Sequence, residues 1–445
     1  MEPLDEKSLW QAHPRLPLAL IFVLGLALRL VWVVSVMEDE KFIMEGDGRD
    51  YYQLSLNLVH GQGFALWMPG ANLEGGQPLQ QTARRPPLFP LFASTVLKKF
   101  MNLTEPDYAS VLFVQALIDS LTCLLVFHLA RELTGSREAS CIAALLYAVN
   151  FFVFQFSGKF LSETLFIFFQ TAALLVTVRA VREKDPSPSL LFLAGALWGL
   201  AALTRPVVLF FPIAVIICIA VRARVKTVSE TATLLLFPFA FILILAPWAI
   251  RNRLVLGRAV PVSTVGGQTF YHSNHATSNG QWVPLPIPDE AKGLNEAELD
   301  SWYYREGLKF AATHPFLTLK NAAIKALRLY YVFYPAYDLF FGVTFMLAVP
   351  GVWFHFQKED RNWLPAMLII YTTLLCIIFW GAPRFRAPLL PCFVVFAAGY
   401  AGSYLKELDT VNRRRHLVAI IGIVLANLLV AIFAEEMRAV VKAIF

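Results

Sequence analysis

Apolar stretches of membrane-spanning length recur about eleven times along this chain, and few folds can absorb that. Crossing a hydrocarbon core takes about 20 helical residues. The stretches from Leu16 to about Val36 and at about 108–131, 136–156, 160–182, 189–204, 206–222, 231–249, 338–356, 363–380, 385–405 and 415–434 meet that length or approach it. In lipid each backbone polar group must be satisfied within its own segment, so such runs form helices. With 57% hydrophobic and 16% charged residues, a soluble domain could not hide the apolar surface. The expectation is an all-α polytopic membrane protein of about eleven transmembrane helices, with a proline break at Arg205-Pro206.

Loop charge sets the orientation. With the N-terminus inside, short loops carrying Arg131 and Arg137, Arg179, Arg182 and Lys184, Arg222, Arg224 and Lys226, Lys358 and Arg361, and Lys406 with Arg413 to Arg415 are cytoplasmic. The net charge of +6 is therefore a topology signal, and nucleic acid is not an expected partner. The chain divides into 1–36 (cytoplasmic N-terminus and first span), 37–107 (first outer loop) and 108–249 (transmembrane core). The segment 250–337 is a second outer loop that serves as an acceptor- or donor-binding region, and 338–445 holds the C-terminal spans. Met1 to Arg15 is polar and is followed by a full-length span without a small-residue cleavage site, so a cleaved signal is not expected. The five cysteines lie in or beside apolar runs with no CxxC pair, which reads as core packing and not as disulfides or a zinc site. No internal repeat of the secondary-transporter kind is visible.

Against the topology bias, the outer side keeps Asp47, Asp50, Arg84, Arg85, Lys159, Glu163, Arg205, Arg251, Arg253, Arg384 and Arg386. Cations at such positions suit an anion. The first outer loop opens with Gly46-Asp47-Gly48-Arg49-Asp50-Tyr51-Tyr52. Helical spacing of Tyr51, Leu54 and Leu58 follows, with Asp47 as the expected N-cap and Gly61-Gln62-Gly63 as the stop. This helix and a second amphipathic one, Leu88 to Phe100 behind Pro86-Pro87, are expected along the membrane surface. Tyr303 to Phe310 and Leu317 to Val332 read as further surface helices.

Asp47, Tyr51, Leu54, Asn57, Leu58, Gly61, Gly63, Phe64, Arg85-Pro86-Pro87 and Pro90 together resemble the first outer loop of GT-C glycosyltransferases. The similarity is to the bacterial branch related to protein O-mannosyltransferases and lipid A aminoarabinose transferases. It continues in Gly199-Leu200-Ala201-Ala202-Leu203-Thr204-Arg205-Pro206, Pro247-Trp248-Ala249-Ile250-Arg251-Asn252, Gly266-Gly267 and Arg384-Phe385-Arg386-Ala387-Pro388, spanning about residues 17 to 405. The resemblance implies a GT-C-like bundle with juxtamembrane helices in two outer loops. It also implies a polyprenyl-phosphate sugar donor, inversion at the anomeric carbon, and an acidic first-loop residue as base. Asp47 occupies that position. The acidic dipeptide common in such relatives is Asp47-Gly48 here, which leaves Asp50 as a rival base. No counterpart of the mannosyltransferases' large C-terminal soluble domain is present in the sequence.

The chemistry these residues support is consistent with that implication. A carboxylate must come within about 3 Å of the acceptor nucleophile, and fixed cations can stabilise a leaving lipid phosphate without a metal. Arg84, Arg85, Arg205, Arg251, Arg384 and Arg386 are candidate phosphate ligands, since arginine presents a planar fork of donors. Arg29, inside the first span, either faces the phosphate or packs inward with a partner. Tyr51, Lys159, Glu163, Gln268, Tyr271 and His275 are candidate substrate contacts, although Lys159 and Glu163 are also spaced to pair with each other. The polar, aromatic stretch Gly266 to His275 suits a sugar as well as it suits a plain loop. His272 and His275 lack a clear acidic partner for a metal, so no cofactor is expected. Trp248, Phe379 and Trp380 suit a lipid groove or interface anchoring. Asn102-Leu103-Thr104 matches a glycosylation acceptor but is discounted on the bacterial resemblance. The expected function is sugar transfer from a lipid-linked donor to an envelope lipid, glycan or protein at the outer face of the plasma (inner) membrane. The alternatives are a ligase for a whole lipid-linked glycan, or a lipid or solute transporter.

Overall fold

The computed structural model describes residues 15–66, 79–100, 107–182, 187–223, 227–333, 337–358, 363–404, 409–433 and 435–436. Lys184, Arg224, Lys226, Arg361, Lys406 and Asn102-Leu103-Thr104 lie outside them. Helices run in the order α1 (Leu16–Val36), α2 (Glu40–Ile43), α3 (Gly48–Val59), α4 (Leu88–Phe100), α5 (Ala109–Thr134), α6 (Arg137–Ala148), α7 (Phe151–Phe154), α8 (Glu163–Ala180) and α9 (Pro188–Thr204). Then come α10 (Phe211–Ala223), α11 (Val228–Leu256), α12 (Gly266–His272), α13 (Glu296–Thr313), α14 (Pro315–Leu329), α15 (Leu339–Lys358), α16 (Trp363–Ile378), α17 (Leu390–Gly399) and α18 (Thr410–Ile432). A two-residue hairpin, β1 (Ala65–Leu66) with β2 (Gln80–Gln81), pairs Ala65 with Gln81.

Among the described residues, six helices are long and apolar enough to cross a membrane, and α6 with the bent segment Phe151–Gly158 makes up to seven. Shorter apolar helices at Pro188–Thr204, Pro206–Val221, Leu339–Trp353 and Trp363–Ile378 occupy the remaining expected stretches. The chain is thus an all-α, multi-pass membrane protein. Its spans start and stop where local chemistry says. Gly135, with φ +65°, closes α5, because glycine takes the left-handed conformation at low cost. Ser136 then caps α6 through the Ala139 N–H. Thr227 and Glu230 form a reciprocal capping box on α11.

Packing between spans relies on small residues. A side chain at Gly195 would put its Cβ 2.0 Å from the Phe237 carbonyl oxygen, and one at Gly351 would meet Phe396 at 2.2 Å. Without a hydrophobic drive between helices in lipid, such close backbone approach is what gains dispersion energy. At 29 residues, α11 is about 44 Å long and outruns a hydrocarbon core. The extension carries Arg251 and Asn252 beyond the expected span end near 249.

Arg29 packs inward. Its Nε donates to Asp119 at 2.7 Å and its Nη1 to the Gly25 and Ala148 carbonyls. Tyr147 donates to the other Asp119 oxygen at 2.6 Å, and Arg29 is 0% exposed. The pair ties α1, α5 and α6 together in the middle of the bundle. Removing one partner would strand the other charge, at a cost of about 3–5 kcal/mol. Asp119→Leu should therefore lower the unfolding temperature of detergent-purified protein sharply. The double replacement Arg29→Met with Asp119→Leu should recover most of the loss.

Candidate active site

The chain from α1 to α3 makes a tight reversal around Gly46, which has φ +64°, and this brings Asp47 to the start of α3. Asp47 holds the N-cap position, but its side chain makes no capping bond, so the expected cap does not form. The carboxylate binds two guanidinium groups instead. Arg85 Nη2 lies 2.8 Å from Oδ1 and Arg384 Nη2 lies 3.1 Å from Oδ2. Asp50, one turn on, accepts from Arg85 Nε and Nη2 at 2.9 and 2.8 Å, with Arg84 Nε at 3.7 Å. Pro86-Pro87 hold Arg85 just ahead of α4, and its guanidinium also lies 5.8 Å from the Tyr51 ring.

Two further elements close the cluster. Residues 159–162 enter as an irregular strap pinned by the Phe160 N–H on the Ile43 carbonyl, 3.0 Å, and α8 begins only at Glu163. Arg205, in extended conformation ahead of Pro206, sends Nη1 to Glu163 Oε1 at 2.7 Å and to Ser162 Oγ at 3.2 Å. Arg384 Nη2 reaches the same Glu163 oxygen at 3.0 Å, while Tyr51 OH meets Ser162 Oγ at 3.3 Å. Glu163 is 1% exposed, so its charge depends on these partners. Burial alone would raise the Asp47 carboxyl, but Arg85, Arg384 and Arg205 together outweigh it and hold the group down at about 2.

Asp47, Asp50, Tyr51, Arg84, Arg85, Glu163, Arg205 and Arg384 therefore converge, and Lys159, Arg386, Arg251 and Arg253 do not. Lys159 does not pair with Glu163, because its backbone is extended and the helical spacing never forms. It bonds Glu45 and lies 4.3 Å from the Phe42 ring centre. Arg386 is fully buried between Phe152 and Phe341, at 4.5 and 4.1 Å, and pairs with Asp338 at 3.0 Å. It is a packing arginine, not a phosphate ligand. Arg251 spends its guanidinium on the Thr82 and Phe64 carbonyls and on Gln81 Oε1, and stacks 4.8 Å from Trp248. Arg253 donates to the Gly257 carbonyl at the end of α11.

The second long loop is fastened to the first by a residue the sequence reading passed over. Glu296, at the start of α13, accepts from Thr82 Oγ1 at 2.6 Å, from the Ala83 N–H at 2.9 Å and from Thr264. Ser162 and Glu45 were also missed. Nothing in their local sequence marks them, since their partners are 43 to 114 residues away. In the second loop, Tyr271 packs on Trp302 and Tyr303. His275 Nδ1 accepts from the Thr277 N–H at 3.2 Å, and Gln268 is half-buried on α12. Burial lowers His272 to about 4, with His275 and Arg84 adding to the shift. Among the described residues no group of three or more His, Cys, Asp or Glu side chains is placed to hold a metal ion.

This fold is that of the GT-C membrane glycosyltransferases. The apo oligosaccharyltransferase of Archaeoglobus fulgidus superposes with a TM-score of 0.53 at 16% identity, over 94% of this chain and 55% of that one. The same organism's AglB, in complex with an inhibitory peptide and a dolichol-phosphate, gives 0.51 at 16% identity over 93% and 54%. ArnT from Cupriavidus metallidurans, bound to undecaprenyl phosphate, gives 0.47 at 14% over 92% and 64%. The chain thus spans about half the length of the oligosaccharyltransferases it matches. Within the class, residues 84–250 match the family of dolichyl-phosphate-mannose-protein mannosyltransferases. Comparison with curated proteins gave no match.

If Glu296 is the fastener between the loops, Glu296→Ala should free three donors and loosen residues 79–85 without unfolding the bundle. A local loss of about 1–3 kcal/mol predicts proteolytic cleavage in that segment roughly tenfold faster or more, read by mass spectrometry of limited digests.

Proposed function

We propose that the chain is an inverting glycosyltransferase that moves a sugar from a polyprenyl-phosphate donor to an envelope acceptor at the outer face of the membrane. The observation that carries this reading is Asp47 ionised between Arg85 and Arg384, the arrangement a base beside a phosphate site needs. The dolichol-phosphate in the AglB complex and the mannosyltransferase family match over 84–250 support a lipid-phosphate donor. The positive residues of the short loops support the sidedness.

Charge balance favours the same donor. In the cluster four guanidinium groups (Arg84, Arg85, Arg205, Arg384) face three carboxylates (Asp47, Asp50, Glu163), so one positive charge is in excess. A lipid phosphate sugar is a phosphodiester with one negative charge, and it neutralises that excess. The acceptor hydroxyl attacks the anomeric carbon from the side opposite the phosphate and gives its proton to Asp47. The bond between that carbon and the phosphate oxygen breaks, and its electron pair stays on the phosphate. The second negative charge is met by the arginines, whose attraction strengthens as it develops. A carboxylate held near 2 is a weak base at rest, but the hydroxyl becomes strongly acidic as its oxygen bonds to carbon. No step in this scheme uses a metal, so transfer should persist in EDTA.

The decisive test is transfer by purified protein in nanodiscs, offered a panel of radiolabelled polyprenyl-phosphate sugars and an envelope extract. Asp47→Asn should cost about 10³-fold or more in rate, while Asp50→Asn costs about tenfold or less. Loss confined to Asp50→Asn would move the base. No transfer from any donor by folded protein would overturn the class of reaction in favour of a glycan ligase or a transporter.

A pH profile tests the electrostatics separately. Asp47 works when ionised, so its limb in kcat/KM lies on the acid side, near its value of about 2. Between pH 5 and 8 this group should leave the rate flat. Arg384→Gln removes one of the cations that oppose burial. The Asp47 limb should then move upward by about one unit or more, so that activity falls as pH drops through the range where wild type is still flat.

A further inference from the structure

A continuous line of rings leaves the charge cluster and runs into the second long loop. Phe385 lies under both active-site cations, 5.9 Å from Arg205 and 5.6 Å from Arg384. It meets Trp380 edge-on at 5.1 Å, Trp380 lies 6.2 Å from Trp282, and Trp282 lies 5.2 Å from His272. His272 in turn contacts Tyr303 at 5.3 Å, and Tyr303 contacts Tyr271 at 5.5 Å. We propose that this track is an acceptor subsite for a neutral glycan, so that the hydroxyl delivered to Asp47 belongs to a carbohydrate. The proposal rests on the glycosyltransferase reading above and names its acceptor class.

Three observations point to a sugar. First, Trp380, Trp282 and Tyr271 are only half-buried, so a chain of pyranoses could lay its apolar C–H faces on exposed ring surface. Aromatic side chains suit such contacts because they offer large rigid area at little entropy cost. Second, the track is lined by unused hydrogen-bonding capacity. Both ring nitrogens of His272, the hydroxyl of Ser273 and Nε2 of His275 are buried without partners, although His272 is only 1% exposed and Ser273 0%. Such groups are costly when left without a partner, and sugar hydroxyls, which donate and accept, are matched to them. Third, the lining carries no charge of its own. Burial first, then His275 and Arg84, hold His272 at about 4, so at neutral pH it is an uncharged ring with one donor and one acceptor.

The platform is also rigid, which lowers the cost of binding. Asn274 Nδ2 donates to the Ile378 carbonyl at 3.0 Å and Lys325 Nζ to Asn274 Oδ1 at 2.8 Å. Asp300 accepts from the Gly267 N–H at 2.6 Å. These bonds fix α12, which bears Tyr271 and His272, and the turn after it to α13, α14 and the end of α16.

The test uses the full chain in nanodiscs and follows tryptophan fluorescence on titration with a fixed panel. The panel holds neutral hexa-oligosaccharides of glucose, mannose, galactose and N-acetylglucosamine, an uncharged peptide, and an acyl glycerol lipid. Saturable quenching by at least one oligosaccharide and by neither control is expected. Trp282→Ala should weaken it about tenfold and His272→Leu should weaken it too. In the transfer assay Trp282→Ala should raise KM for the acceptor and spare kcat and the donor KM. Absence of saturation by every oligosaccharide, or an unchanged Kd in folded Trp282→Ala and Trp380→Ala protein, would overturn the subsite. So would transfer to peptide or lipid with a KM indifferent to Trp282→Ala, and that result would leave the glycosyltransferase reading standing. Oligosaccharide binding at the track with no transfer from any donor would do the reverse.

Discussion

The rest of the site depends on one buried charge, the carboxylate of Glu163 at the first turn of α8. Holding a carboxylate at 1% exposure is costly unless cations are brought to it. The helix N-terminus supplies part of the compensation, and Arg205 and Arg384 supply the rest. Each of these arginines stands beside a proline at a break between helices, Pro206 after α9 and Pro383 at the start of the 3-10 turn that follows α16. The breaks turn the side chains out of the helical path and toward the carboxylate. Because Arg384 also reaches Asp47 and Arg205 also reaches Ser162, fixing Glu163 fixes the start of the first long loop. The position of Asp47 is thus set by ion pairs anchored in the bundle more than by the apolar face of α3.

Much of this was legible in the sequence, and what was not has a common cause. The apolar runs located the spans, since spanning length and composition act segment by segment. Helix caps and glycine stops at Gly61, Gly63 and Gly135 are equally local. Charges against the topology bias marked the side of the chain where Asp47, Arg85, Arg205 and Arg384 meet. Pairing was another matter. Lys159 and Glu163 are four apart, but the helix that would align them starts only at Glu163. Arg384 and Arg386 are two apart in a 3-10 turn, where side chains at that spacing diverge by about 120°; one reaches Asp47 and the other Asp338. Asp47 sits where a cap belongs, yet two guanidinium groups outbid a pair of backbone N–H donors. Asp119 was invisible because a single acid in a long apolar run does not change its period or mean.

The two ion-pair systems also divide their work. Arg29 with Asp119 is buried inside the bundle and tied to Tyr147 and two carbonyls. It fixes the mutual register of α1, α5 and α6, as a buried polar contact can in a medium that gives helices little preference among apolar faces. The cluster around Asp47 is different in kind. Asp47 and Asp50 have side chains 29% and 34% exposed, so their bonds to arginine can be exchanged for bonds to an arriving anion.

That exchange links binding to chemistry on the proposed reading. A phosphate taken up by Arg85 and Arg384 must loosen their hold on Asp47, because each guanidinium has a fixed number of N–H donors. As the donors turn toward phosphate, the forces that hold Asp47 near 2 weaken while burial, which pushes it upward, remains. Donor binding would therefore strengthen the very base that the acceptor needs. An acceptor reaching the empty site meets a carboxylate engaged on both oxygens, and one reaching the donor-loaded site meets a carboxylate with a lone pair released. Donor-first order then follows from charge alone, with no moving lid. Activating the base only when the phosphate is in place also limits wasteful attack by water, because an unpaired Asp47 never coexists with an open phosphate site.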